Sequence, residues 1–205
     1  KDEWYIYYIA KSTREVIGES SWEGLTDESK NKKFMELKDE RVIYEAGVDW
    51  EGLTNENKNK KFMELRDEQW IYKAVVSWKG LTDESKNKKF MELKNEELIH
   101  RAVVYWKGLT NESKNKKFME LKDEELIYHA GMDWKGLTDE SRNWKFTQMK
   151  DEKWIIMAGR DWVGLETEIV VKKWFELSRK GKRKARRAWK DKKDVMNEIN
   201  KRIRK

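Results

Sequence analysis

The densest run of chemistry-bearing side chains in the 205-residue sequence is Arg179, Lys180, Lys182, Arg183, Lys184, Arg186, Arg187 and Lys190, a stretch without a single acidic residue. From Lys172 to Lys205 there are 16 Lys/Arg against 4 Asp/Glu, which leaves 30 basic against 35 acidic side chains in residues 1 to 171. The formal net charge of +7 therefore belongs to this tail. Guanidinium forks and ammonium groups bind phosphate oxygens, so the stretch points to nucleic acid, RNA or DNA, held with an affinity that falls as salt rises. The same segment has helical spacing, with Trp189, Val195, Met196, Ile199 and Ile203 on one side. A single basic amphipathic helix over 178–205 could also cap the chain, or lie on an acidic lipid surface or in a partner's groove.

Other chemistry is sparse. Two histidines occur, His100 and His129, and Glu97 with His100 makes one Glu-x-x-His, whereas a carboxylate-bridged di-iron site needs two such pairs and further glutamates. Cysteine is absent, which rules out disulfides and thiolate metal sites and gives no sign of an oxidising compartment; an intracellular location is the expectation. No glycine-rich phosphate loop, nucleophile elbow or histidine–carboxylate–serine set is visible. The expectation is a protein that is not an enzyme and needs no cofactor or metal. No apolar run approaches the ~20 residues of a membrane span.

The elements that carry these residues follow from a period. Trp22-Glu23-Gly24-Leu25-Thr26 returns at Trp50, Trp78, Trp106 and Trp134 and, as WVGLE, at Trp162, always 28 residues on. A fixed period of this length marks a repeat array in which each unit buries its apolar face against its neighbours. Thr26 is placed to cap a helix A reaching about Leu37, with Asp27 and Glu28 favoured by the helix dipole. Asp39 can cap a helix B reaching about Trp50, which Gly52 ends. One continuous helix is the competing reading, because no glycine or proline separates the two.

The predicted fold is an all-α solenoid of 28-residue helix-turn-helix (αα-hairpin) repeats with a basic C-terminal helix. Residues 1–21 form an irregular aromatic N-terminal unit, a cap or truncated repeat about nine residues longer than a standard half-repeat. Residues 22–161 form five repeats, 162–177 a degenerate half-repeat, and 178–205 the basic helix. The opening KDEWYIYYIA aligns with KDERVIYEAG at Lys38, so the chain reads as processed or as a piece of a longer array.

Helical spacing puts Phe34, Met35 and Leu37 on the inward arc of helix A and Glu28, Ser29, Lys32, Lys33 and Glu36 outward. The recurrent KNKK run suggests a phosphate track, although carboxylates at i−4 and i+4 from Lys32 argue for an ordinary solvated face. Asn31, Asn59, Asn87, Asn115 and Asn143 sit inward and must be hydrogen-bonded; a ladder to the loops is the expectation, contact with a ligand the alternative. The repeat tryptophans Trp22, Trp50, Trp78, Trp106, Trp134 and Trp162 read as a core spine. Trp144 replaces an outward lysine and must pack on something nearby.

Helix B is apolar nearly all round, Val48 included, with one open polar stripe. The stripe reads Arg41/Glu45/Asp49, Gln69/Lys73/Ser77, Glu97/Arg101/Tyr105, Glu125/His129/Asp133 and Lys153/Met157/Asp161. A constant frame with one changing stripe fits a modular binder, and drift after duplication explains it too. Three partner classes follow: nucleic acid at the basic tail, a protein at the stripe, or further copies of the chain at open array ends.

Overall fold

A computed structural model describes Glu3, Trp4, Tyr7 and residues 26–204; Trp22 and the rest of the expected 1–21 unit lie outside the described residues. Among the described residues there are thirteen helices and no strand. They are α1 (Asp27–Glu36), α2 (Glu40–Asp49), α3 (Asn55–Glu64), α4 (Glu68–Ser77), α5 (Asp83–Glu92), α6 (Glu96–Tyr105) and α7 (Asn111–Glu120). The chain continues with α8 (Glu124–Asp133), α9 (Asp139–Gln148), α10 (Glu152–Asp161), α11 (Thr167–Glu176), α12 (Arg179–Ala188) and α13 (Lys193–Ile203). The chain divides into two compact units, Lys1–Leu109 and Thr110–Lys205.

Within each unit, helices A pack on helices A and helices B on helices B. In the first, α1, α3 and α5 form one layer and α2, α4 and α6 the other. In the second, α7, α9, α11 and α13 follow one another, as do α8, α10 and α12. This is the α-solenoid of helical hairpins that the period predicts.

Each hairpin starts as its sequence dictates. The Thr26 hydroxyl accepts the Ser29 N–H at 3.2 Å, and the Asp39 carboxylate accepts those of Arg41 (2.9 Å) and Val42 (3.0 Å). Gly52 takes φ +83° where the chain turns into α3, and a Cβ there would lie 1.9 Å from the Asp27 carboxylate. Glycine is required at that turn both by backbone and by space.

The bend between helices A and B has neither glycine nor proline, and neighbouring repeats hold it. Leu37 and Asp39 adopt extended backbone, ψ 142° and 118°. At the equivalent bend after α3, the N–H groups of Arg66 and Asp67 donate to Glu40 of the preceding repeat at 3.0 and 2.9 Å. The Leu65 carbonyl accepts Nζ of Lys89 from the following repeat at 2.6 Å, and Lys89 also pairs with Glu92 at 2.6 Å. Glu68 clasps Lys94 and Asn95 in the same way, and Lys61 reaches Leu37. In the second unit Glu124 clasps Lys150 and Asp151, while Lys145 and Lys173 donate to Leu121 and Met149.

These bonds correct one expectation. Helical spacing puts the Lys33 position on the solvent side of helix A; Lys33 itself is exposed and pairs with Glu36 at 2.8 Å, but its counterparts Lys61, Lys89, Lys117, Lys145 and Lys173 are all buried. Their stems lie against the core while the ammonium groups satisfy inter-repeat carbonyls and carboxylates. The same geometry fixes the alignment of the opening residues. Glu3 accepts from the Lys38 and Asp39 N–H groups as Glu40 does one repeat on, and Tyr7 donates to Asp49 as Tyr128 does to Asp161.

The core between the layers is aromatic. Trp50, Trp78, Trp106, Trp134 and Trp162 are buried, and each phenylalanine of helix A meets an indole, as Phe34 meets Trp50 and Trp78 at 6.3 and 6.0 Å. Burying an indole contributes on the order of 2–3 kcal/mol. Trp78 lies on the face of α2 because Gly47 leaves room: a Cβ there would stand 2.1 Å from its Cε2. In that seat Nε1 of Trp78 donates to the Tyr44 carbonyl at 3.1 Å. Where Val75 replaces the glycine, Trp106 instead stacks on Tyr72 at 6.1 Å and its buried Nε1 finds no acceptor.

The C-terminal segment differs from the expected single helix over 178–205. α12 is the helix B of a complete sixth hairpin, reached through an A–B bend one residue shorter than the others, and α13 packs on α11. Ser178 donates its backbone N–H and hydroxyl to Glu152, and Trp189 donates Nε1 to the Ile156 carbonyl at 2.9 Å over Gly159, as Trp78 and Trp162 do over Gly47 and Gly131. The one-residue deletion moves the last tryptophan from the position a 28-residue step requires to Trp189, which hides the repeat from a fixed period.

Two outcomes follow for stability. Lys89→Met strands the Leu65 carbonyl and should cost about 2 kcal/mol in urea unfolding, whereas Lys60→Met, at an exposed position, should change stability by less than about 0.5 kcal/mol. Gly47→Val should evict Trp78 from its seat at a cost of roughly 1–3 kcal/mol, read as a changed near-ultraviolet tryptophan dichroism.

Candidate nucleic-acid interface

The sequence-predicted tail cations are brought together on α12 and just past it. Arg179, Lys180, Arg183, Lys184, Arg186, Arg187 and Lys190 are exposed, and Lys182 is half-buried. Among the described residues none of the eight makes an ion pair. Lys182 is occupied otherwise, its Nζ lying 5.1 Å from the Trp174 ring and 5.8 Å from that of Phe175. On the far side α12 is seated by buried Gly181, Ala185 and Trp189, so the positive arc is the whole solvent side of the helix.

Comparison with the preceding helices B sorts these cations into two lines. In α2 the residues that receive the next repeat are Glu40, Tyr44 and Gly47, which clasp the bend, accept the indole N–H and seat the ring. In α10 the same three roles fall to Glu152, Ile156 and Gly159. The spacing is i, i+4, i+7, one face of a helix. On α12 that stacking face carries Arg179, Arg183 and Arg186, and Lys190 extends it. Lys180, Lys184 and Arg187 instead continue the lateral, solvent-facing line of Lys153, Met157 and Arg160. Lys180 and Lys184 share a cleft of about 390 Å³ with Glu152 and Met157.

The repeated lysines form a much thinner track than KNKK implies. The fourth residue of the run is buried at Lys61, Lys89 and Lys117, and at Lys33, where it is exposed, it pairs with Glu36. The first is tied to the chain: Lys30 donates to the Glu51 carbonyl at 3.4 Å and Lys86 to Asp83 at 3.1 Å, and burial with nearby Lys79 pushes the Lys58 ammonium pKa down. The third, at Lys32, Lys60, Lys88 and Lys116, is exposed in every run, and Lys60 pairs with Glu56 at 2.7 Å. Trp144 takes that place in the fifth repeat and remains 44% exposed, with Lys145 Nζ 5.3 Å from its ring.

The asparagines are fully engaged in structure. Asn31 Nδ2 donates to the carbonyls of Asp27 (2.7 Å) and Gly52 (2.8 Å), and its Oδ1 accepts the Thr54 N–H at 2.9 Å. Asn59, Asn115 and Asn143 repeat all three bonds with their own turns. Each amide is consumed by the ladder expected of it.

The helix B stripe faces solvent through most of its length. Arg41, Gln69, Lys73, Ser77, Glu97, Arg101, Tyr105, Glu125, His129 and Asp133 are exposed, Glu45 and Asp49 partly so. Several members are already partnered: Lys73 stands 4.2 Å from the Trp70 ring, Arg101 pairs with Glu97 at 2.8 Å, and Asp49 accepts from Tyr7. Asp161, which accepts from Tyr128 at 2.7 Å, is held below the usual carboxylate range by its hydrogen bonds with Arg160. One row was missed. Val48, Val76, Val104 and Met132, expected inside, are 45–59% exposed. The signal was present in the sequence, because the same position in the fifth repeat is Arg160.

Among the described residues no three His, Cys, Asp or Glu side chains gather as a metal site would require, and no helix is long and apolar enough to cross a membrane. His129 lies at the surface against Tyr128 and Trp154, and His100 is half-buried. Comparison with known proteins finds no matching family model, curated protein or solved structure.

Amine acylation followed by mass spectrometry should rank the lysines by this geometry. Lys60, Lys88, Lys180 and Lys184 should react fast, and Lys61 and Lys89 should remain protected until the chain unfolds.

Proposed function

We propose that this α-solenoid is a non-catalytic binding scaffold that engages nucleic acid, RNA or DNA, through α12. The observation that carries the reading is the concentration of uncompensated cations. Seven of the ten residues of α12 are Lys or Arg, none is acidic, and none forms an ion pair among the described residues. On helices A, by contrast, Lys30, Lys33, Lys60 and Lys86 pair with carboxylates and Lys61, Lys89, Lys117, Lys145 and Lys173 are buried. A solvated helical face that served only solubility would be mixed in sign, as helices α1 to α7 are; single-sign fields suit a polyanion.

A second reading has its own support. The exposed apolar row Val48, Val76 and Val104 runs beside the stripe in the first unit, and exposed apolar groups in one row suit a protein partner. This surface is separate from α12, and both can serve one scaffold. Self-association through the α12 end is less favoured, since Arg179 stands where Glu40 and Glu152 clasp the following repeat.

Fluorescence anisotropy with a labelled 20-nucleotide oligouridylate tests the main reading. Affinity should fall by about a hundredfold between 50 and 200 mM salt. Changing Arg179, Lys180, Arg183, Lys184, Arg186 and Arg187 together to Gln should abolish binding while preserving helical dichroism. Salt-independent binding, or full binding by that variant, contradicts the reading.

A further inference from the structure

We infer that the nucleic-acid backbone seats on the stacking face of α12, on the line Arg179, Arg183, Arg186 and Lys190, and not on the lateral line Lys180, Lys184 and Arg187. The inference rests on the proposed nucleic-acid reading and assigns its subsite. Within the described array, the stacking face of a helix B is a protein–protein contact: at α10 it is filled by α12, with Glu152, Ile156 and Gly159 each making a defined bond or seat. At α12 the corresponding residues are exposed, and α13 packs on α11 in the other layer. The face that takes a helix at α10 is, on α12, exposed and lined with positive charge.

The substitutions at this face exclude another hairpin and suit a phosphate chain. Arg179 puts a donor where Glu152 supplies an acceptor, so the backbone N–H groups of a further bend would meet another donor. Arg186 stands in the place of Gly159, where even a Cβ would come within 2.5 Å of an indole seated as Trp189 is. A rigid helix carrying that tryptophan cannot approach. A flexible strand can, because long guanidinium arms reach phosphates at a distance and bind their oxygens in pairs. The three arginines span about 10 Å along the axis of α12, and Lys190 lies just past the end of the helix.

The lateral line is weaker for two reasons. Lys180 and Lys184 face the cleft that also holds the Glu152 carboxylate, whose charge offsets theirs. Two of its three members are lysines, point charges without the bidentate fork, whereas the three helical members of the stacking line are all arginine.

Two triple variants with equal loss of charge decide between the lines, each checked for native helical dichroism. Arg179→Gln/Arg183→Gln/Arg186→Gln should weaken binding of the labelled 20-nucleotide oligouridylate at least 30-fold and lower the salt slope by about 2. Lys180→Gln/Lys184→Gln/Arg187→Gln should weaken it no more than fivefold. Equal losses, or a larger loss from the lateral triple, overturn the subsite while leaving α12 as the nucleic-acid element. If neither triple changes an affinity that the sixfold variant also leaves intact, the nucleic-acid reading itself falls. A poly-glutamate peptide of matching charge that displaces the oligouridylate at equal concentration would replace phosphate by an acidic polypeptide as the occupant, and so overturn the inference.

Discussion

The array depends on how it breaks each helix at a bend that contains no helix breaker. Leu65, Arg66 and Asp67 leave the helical conformation because their backbone groups are taken by charged side chains from both neighbouring repeats, Glu40 on one side and Lys89 on the other. Charge-assisted bonds of this kind are about twice as strong as neutral ones, and the lysine partners are buried. A hairpin on its own lacks both clasps, so the bend is a property of at least three consecutive repeats. That is the near-neighbour coupling expected of a solenoid, written here in ionic bonds as well as apolar area.

The same clasp explains the chain's charge pattern. Glutamate at the first residue of helix B and lysine near the end of helix A recur because each repeat needs both, and most of the array's charged residues are spent on that structure or on pairs along one helix. At α12 the rule stops: Arg179 replaces the clasping glutamate, Arg183 and Arg186 replace the tryptophan seat, and no compensating acid follows on the helix. That face is unsuited to a further helix by charge and by bulk. The result is a helix-wide positive surface, and the functional reading begins where the clasp and the indole seat are replaced by arginines.

Much of the fold was legible in the sequence because its signals are local and periodic. Thr26 and Asp39 announce helix starts, Gly52 marks the left-handed turn, Asn31 needs partners and finds them, and a strict period of 28 multiplies each clue. The residues that were misread act across repeats. The outward spacing holds for Lys33, which is exposed, but not for its buried counterparts Lys61 and Lys89, since single-helix spacing cannot show that the preceding repeat lies within reach. The sixth hairpin was concealed by one deleted residue before Ser178, and the exposed row at Val48 by the assumption that valine on helix B is interior. At the candidate site the cations themselves were evident. Their division into a stacking line and a lateral line was not, because it depends on knowing which face of helix B receives its neighbour.

The most direct measurement is amide hydrogen exchange of the full chain with and without the oligonucleotide at low salt. Binding at the stacking face of α12 predicts slowed exchange concentrated in residues 179–190, reversed by raising the salt, with the helices of the first unit unchanged. Protection spread along helices α2, α4 and α6 with none in α12, or no protection anywhere while the oligonucleotide remains bound, would contradict it.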